Sequence, residues 1–460
     1  MSGEEKLDLL LSGVRAKVEK LSIYELRQVA RAVGVDRPAV GKKSRVTEAI
    51  MNIACGTVSP IPQSRRGAPP KSSAVDEELV DEINRCRARA LGYGEDMPQK
   101  SCVSDSAYGN IENNELTLSG VLSKHGSDYV VVSDEVLGEI FVHQSYVERY
   151  SLRSGDYITC RCSRKSNNEK YGLTDVFLVN GELTDGTRGR GEFGALTRIY
   201  PQTRIYTGGN GSAACRMCDL FAPLALGQRA IISAPSKSGK TRFLKEIALG
   251  ICRDYADIEV VFLLIGEQPE IVTDIKRSVV KARVFDTCFT QPAELSKNTA
   301  ELAMDYAKRR VECGKDVVVL FDGITRLYRS YRSQGRPAAG VEEIKDILGC
   351  ACNAEEGGSL TLVSTLSSDA ADAALFNEFI GLGNMVLTLS GTLAAGRVFP
   401  SVDILKSCAD REEVLLTADE LRTARALRAE LCKDASPEDV AAIFNSTSCN
   451  EEIISRYKNG

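Results

Sequence analysis

Several things are scarce in this chain of 460 residues. Histidine occurs only twice, as His125 and His143. A zinc centre built on the single CxxC pair, Cys215 and Cys218, would need further ligands that so few histidines do not supply. The 15 cysteines therefore read as reduced thiols that act as small buried hydrophobes. No apolar run reaches the roughly 18 residues of a membrane span. The opening stretch, MSGEEKLDLLL, puts acid where a signal peptide needs base. That predicts a cytoplasmic protein with no membrane partner. An excess of positive charge is missing too, since the net charge is −5. Any nucleic-acid partner must then be met by local basic or aromatic surfaces.

What is present is ordinary for a globular protein, with 43% hydrophobic and 26% charged residues. The length predicts about two to four domains. Residues 1–55 carry apolar groups at helical spacing and predict a small helix bundle, in which Ser22 and Glu25 form a capping box. Residues 56–115 are rich in proline, glycine and serine and predict a linker, with one short helix at DEELVDEINRCRARALG. From residue 116 to 183 the period changes to two: LTLSGVL, DYVVVSD, EIFVHQ, DYITCRC and TDVFLV read as the strands of a small closed barrel. Residues 190–460 alternate strands and helices. The strands QRAIIS, IEVVFLLIG, DVVVLFD, SLTLVST and NMVLTLS are continuous apolar runs, as in a mainly parallel sheet covered on both faces. The fold class is multidomain α/β.

The first of those runs leads into APSKSGKTRFLKEIA, a strand, a turn and a helix. This is the setting of a Walker A loop, whose backbone N–H groups cradle phosphate oxygens at a helix N-terminus. Ser236, Lys237, Ser238, Gly239, Lys240, Thr241 and Arg242 are its expected nucleotide-binding residues. Lysine reaches the β and γ phosphates and threonine coordinates Mg²⁺. The usual first glycine is here Ala234. DVVVLFD ends in Asp322, a Walker B carboxylate for the metal. VVFLLIGE ends in Glu267, placed to polarise an attacking water. The expected ligands are ATP and Mg²⁺.

With these parts in order, the chain resembles the transcription termination factor Rho family, hexameric RNA-dependent ATPases. APSKSGKT resembles that family's A-P-P-K-A-G-K-T, and DVVVLFDGITRLYRSYR its Walker B stretch. NAEEGGSLTLVST, EFIGLGNMVLTLS and GRVFPSVD match later segments. The resemblance implies an OB-fold (cold-shock-like) RNA-binding barrel and a RecA-like P-loop ATPase domain behind the helix bundle. It also implies a homo-hexamer threaded by single-stranded nascent RNA, acting on an RNA polymerase complex as a helicase. By match to the motifs, Lys237 and Lys240 contact phosphate, Thr241 and Asp322 hold Mg²⁺, and Glu267 is the general base. Arg326 couples nucleotide state to the interface, Phe399 stacks on adenine, and Arg397 reaches phosphate from a neighbouring subunit. Tyr129, Phe141 and Tyr171 sit near base-contacting positions of the barrel, and Arg336 stands in an RNA-gripping loop. Barrel packing would account for Tyr129 and Phe141 equally well.

Departures from the family fall in its moving parts. D-E-R-P-E-E becomes GEQPEI, which keeps Glu267 but replaces an acid by Gly266 and a cation by Gln268. The arginine-finger segment S-G-T-R-K-E-E-L-L becomes SCADREEVLL, so the finger position falls on Asp410 and Arg411 comes one residue late. The second RNA-gripping loop loses its lysine and carries Asp369 and Asp372, acids that would weaken a grip on phosphates. Three readings follow: a working ATP-driven termination factor, a divergent paralogue with weak or no translocation, and an RNA-binding assembly in which ATP only sets the ring's shape. A rotary ATP synthase subunit shares the ATPase core, but the helical unit and barrel ahead of it argue against that assignment.

Overall fold

The computed structural model describes residues 43–55, 115–126, 128–133, 139–164, 171–183, 190–433 and 436–457, with isolated positions between 14 and 30. The expected linker, the short helix at 76–92 and the Glu25 half of the capping box lie outside the described residues. The chain divides into two compact units, 1–104 and 105–460. In the first, helix Lys43–Ala54 buries Val46 and Ile50, and Val14, Val18 and Leu26 are buried as well. Among the described residues no helix is long and apolar enough to cross a membrane.

The second unit begins with a closed barrel. Its five main strands are Glu115–His125, Asp128–Val132, Glu139–Val142, Tyr157–Arg164 and Tyr171–Val179, and the two-residue strand Glu182–Leu183 pairs with the last of them. The first pairs with the second and fourth, the fourth with the fifth, and the third closes the ring on the fifth. Alternate residues point inward, so Leu118, Val131, Ile140, Cys160, Cys162 and Val176 share one core. Where EIFVHQ predicts strand to its end, the strand stops at Val142. His143 then caps helix Gln144–Tyr150, its Nδ1 accepting from the Ser145 N–H at 3.2 Å. A side chain that satisfies an orphan helix N–H ends the extended run.

The barrel rests on helix Ala293–Glu312. Tyr157 meets Tyr306 edge-on at 6.4 Å between ring centroids, and Arg310 donates to the Asn180 carbonyl at 2.6 Å. Asp156 is fully buried and accepts two bonds from Arg190, at 2.6 and 2.9 Å, and one from Asn180 at 2.7 Å. Beside it Gly155 has φ of 88°, and a Cβ there would lie 2.2 Å from the Asp305 backbone carbon.

Residues 190–457 are built on a large sheet with the strand order Arg283–Cys288, Ile258–Glu267, Asp316–Asp322, Ser359–Ser367, Arg229–Ala234, Met385–Leu389 and Val402–Ala409. The first six run parallel and the last antiparallel to its neighbour. Val260, Phe262 and Leu264 enter one hydrophobic core while Val261, Leu263 and Ile265 enter another on the opposite face. That division explains the unbroken apolar runs, because strands covered on both faces need no polar alternation. The two outer strands of this row, Arg283–Cys288 and Val402–Ala409, have no such run. They are only partly buried, and the periodic reading passed over both.

Gly155→Ala should cost about 3 kcal/mol, since it adds a side chain at positive φ and forces a clash with helix backbone. The midpoint of urea unfolding at constant slope measures this.

Candidate active site

Four parallel strands end at one edge of the sheet and bring Ala234, Glu267, Asp322 and Ser367 to a common rim. Ligands of open parallel sheets bind at that rim, outside the strands' carboxyl ends. The turn after Ala234 enters helix Lys240–Asp254 through Gly239, whose φ of 94° is open to glycine. The Lys240 ammonium folds back and donates to the carbonyls of Ala234 and Pro235, both at 2.9 Å. Burial lowers its pKa, while the charges of Asp322 and Asp369 act in the other direction.

Asp322 is 1% exposed, and each carboxylate oxygen accepts a hydroxyl: one from Thr241, the other from Thr365 at 2.7 Å. Glu267, 4% exposed, is ion-paired with Arg326, which also donates to the Ile265 carbonyl at 3.2 Å. Burial lowers the Arg326 pKa. Residues including Lys237, Lys240, Thr241, Asp322, Arg326 and Arg329 line a cleft of about 440 Å³ over the loop. Lys237 is exposed, with φ of 62°. Ser238 is buried and donates to the Pro235 carbonyl at 2.7 Å, and Arg242 pairs with Glu246 at 2.9 Å.

Beside the loop lies a second hollow of about 230 Å³, lined by Ala213, Ala214, Gly239, Phe243, Phe399 and Asn445 among others. Its apolar walls and its edge on Gly239 suit a flat base whose phosphates run over the loop. Asn445 donates to the Phe399 carbonyl at 2.7 Å. Of this lining the sequence marks Phe399 and the loop residues Ser238, Gly239 and Arg242, but not Asn445. Asn445 belongs to helix Pro437–Ser446, held by buried Arg216, whose guanidinium donates to Thr447 Oγ1 at 3.0 Å and to the Thr447 carbonyl at 2.7 Å. No local motif marks that contact, because its partners are more than 200 residues apart.

Other expected residues fall elsewhere. Arg397 is exposed, with φ of 58°, just after helix Gly391–Ala395 on the phosphate side. Arg411 follows Val402–Ala409. That strand runs antiparallel and delivers Ala409 opposite Met385, at the amino-terminal end of the parallel strands. At about 3.3 Å per residue, Arg411 emerges roughly 20 Å from the phosphate loop of its own chain. Its guanidinium lies over the Tyr200 ring, 4.0 Å from the centroid. Arg336 is exposed, at the turn before helix Pro337–Gly349. In the barrel, Tyr129 pairs with Val142 and Tyr171 with Ile140, so both rings lean on the inner core. Phe141 points to the opposite face and is 43% exposed. Tyr129 and Phe141 therefore do not share one stacking surface.

Asp369 and Asp372, expected to face RNA, are engaged within the domain. Asp369 accepts from Ser236, and Asp372 takes both its oxygens to Arg329 at 2.9 Å.

Residues 214–409 match the profile described as the ATP synthase alpha/beta family, nucleotide-binding domain. Proteins called transcription termination factor Rho align over far more of the chain. That of Haemophilus influenzae is 39% identical over 327 residues, covering 67% of this chain and 77% of its own length. That of Bacillus subtilis is 38% identical over 378 residues, covering 76% and 87%. This chain belongs to the Rho family. The Rho of Thermotoga maritima is similar at 36% identity over 334 residues, covering 69% of this chain and 78% of its own. Among solved structures, an ATPase from the type III secretion system of pathogenic bacteria is 22% identical, with a TM-score of 0.49 over 65% of this chain and 94% of its own. For this Rho-family chain the nucleotide-binding domain and the closed small barrel stand together in one polypeptide.

Phe399→Ala should weaken ATP binding by roughly tenfold, the scale of one lost base–aromatic stack. Titration with a fluorescent ATP analogue reads this directly, and an unchanged affinity would remove Phe399 from the base pocket.

Proposed function

We infer that this chain is an ATPase that acts on nascent RNA to end transcription; its relatives are named as transcription termination factors. The observation that carries this reading is the cleft shared by Lys240, Thr241, Asp322 and Arg326, with Glu267 ion-paired to that arginine, in a Rho-family chain that also holds a small barrel. The setting would be cytoplasmic, with RNA and an RNA polymerase complex as partners and RNA–DNA helicase activity as the mechanical output.

The donor set suits magnesium. Asp322 offers carboxylate oxygens already shared with the Thr241 and Thr365 hydroxyls, an all-oxygen arrangement that a hard cation prefers. Held by Thr241 and Asp322, Mg²⁺ would supply neutralisation of the charge on the phosphates. The loop N–H groups and Lys240 hold the phosphate chain, and the Phe399 hollow holds the base. Glu267 accepts the proton of the water that attacks the γ phosphorus, and the bond to the β–γ bridging oxygen breaks. Arg326 positions the Glu267 carboxylate through their ion pair, which limits how far its side chain wanders.

Arg411 lies too far from its own chain's phosphates to serve them, so a cation from that edge would reach a nucleotide only on a neighbouring copy. A ring of identical chains satisfies that geometry, and a cation aimed at the γ phosphate there substitutes for the arginine lost at Asp410.

RNA should stimulate hydrolysis in a poly(C) assay. Lys240→Ala and Glu267→Ala should each reduce turnover to background. Arg411→Ala should keep ATP binding but lower turnover by about a hundredfold or more. Mixing Arg411→Ala with Lys240→Ala chains should restore part of the activity, because each supplies what the other's interface lacks. ATP bound by the wild type with background turnover on RNA would overturn this function.

A further inference from the structure

The turn that follows strand Ser359–Ser367 carries an acid into the phosphate loop. Asp369 accepts from the backbone N–H of Ser236, at 3.1 Å and 3.2 Å to its two oxygens, and from the Ser236 hydroxyl. The Ser367 hydroxyl donates to it at 3.0 Å. The other end of the turn is fastened by the two-oxygen contact of Asp372 with Arg329. A backbone N–H of a phosphate loop is an anion position, and here a side-chain carboxylate takes one.

Which part of a nucleotide this position concerns follows from the two hollows. The base-sized hollow borders the loop at Ser238, Gly239 and Arg242. Ser236 lines only the other cleft, together with Lys240, Thr241 and Asp322. A phosphate chain leaving the base hollow passes Gly239 first and reaches the Ser236 end last. The group nearest Asp369 is therefore the terminal phosphate of a triphosphate. A diphosphate, one group shorter, stops before it. The family motif quoted above has proline in place of Ser236, which brings neither an N–H nor a hydroxyl to hold such an acid.

We propose that Asp369 is a nucleotide-discriminating residue: its carboxylate holds the loop position that a terminal phosphate would claim, and so opposes ATP more than ADP. The proposal rests on the ATPase reading above. Two anions cannot share one donor set beside Lys240, so a triphosphate must push Asp369 aside and break its bonds to Ser236 and Ser367. Displacement also frees the turn at 367–372, which gives that loop a way to respond to the terminal phosphate.

Isothermal titration of the full chain with ATPγS and with ADP tests this, using Asp369→Asn and Asp369→Ala. Asp369 stands on a half-exposed turn, and thermal unfolding of each variant checks that the fold is kept. Both variants should bind ATPγS about tenfold more tightly than wild type, the scale of one charge-assisted hydrogen bond, with ADP affinity moving less than about twofold. Equal shifts for the two nucleotides, no shift, or weaker ATPγS binding would each overturn the discriminating role while leaving the ATPase reading intact. A wild-type chain that binds neither nucleotide would overturn that reading, and this proposal with it.

Discussion

Parallel register is the constraint on which the site depends. Six strands run in one direction, so the residues that end them arrive together whatever their distance along the chain. Asp322 and Glu267 are nearly excluded from water, and a bare carboxylate in such a place is costly. Each has compensation at hand: two threonine hydroxyls for Asp322 and the Arg326 guanidinium for Glu267. Buried charges held this way add little to folding, which is why their presence on one rim points to chemistry.

The parts around the rim serve it indirectly. Helix Ala213–Phe221 packs its Phe221 ring against Phe444 at 6.0 Å, and buried Arg216 holds the end of the same helix, Pro437–Ser446. That packing sets Asn445 against the Phe399 carbonyl and so shapes one wall of the hollow beside the loop. On the other side, Asp156 is surrounded by Arg190, Asn180 and the Arg153 N–H, which fastens the root of the barrel where it meets helix Ala293–Glu312.

The departures from the family motifs have an order that pairwise comparison of letters does not reveal. The family's acid at Gly266 is gone, and the chain there turns at φ of 58° with the Arg326 side chain 3.8 Å from where a Cβ would stand. The family's cation at Gln268 is gone too, and Arg326 provides the positive charge beside Glu267. Asp369 and Asp372, read from the sequence as acids facing RNA, are instead acceptors for Ser236 and Arg329. Both of these loop acids thus have hydrogen-bond partners within the domain.

By itself the sequence determined the sheet's central strands, the phosphate loop and the two carboxylates. Those features are written in contiguous residues: unbroken apolar runs, a glycine followed by lysine and threonine, and an acid at a strand's end. It also determined the barrel's five strands through their alternation. Tertiary structure alone decided the rest. The partly buried strands Arg283–Cys288 and Val402–Ala409 carry no clean period, and the helix at Gln144–Tyr150 hides behind a run that begins as strand. Likewise, only assembly could show that Asn445 reaches Phe399, that Arg411 leaves from the far edge of the sheet, and that Asp369 meets Ser236. The physical reason is common to all of these: local periodicity records which face of an element is buried, whereas a hydrogen bond across more than 40 residues depends on how the elements are stacked.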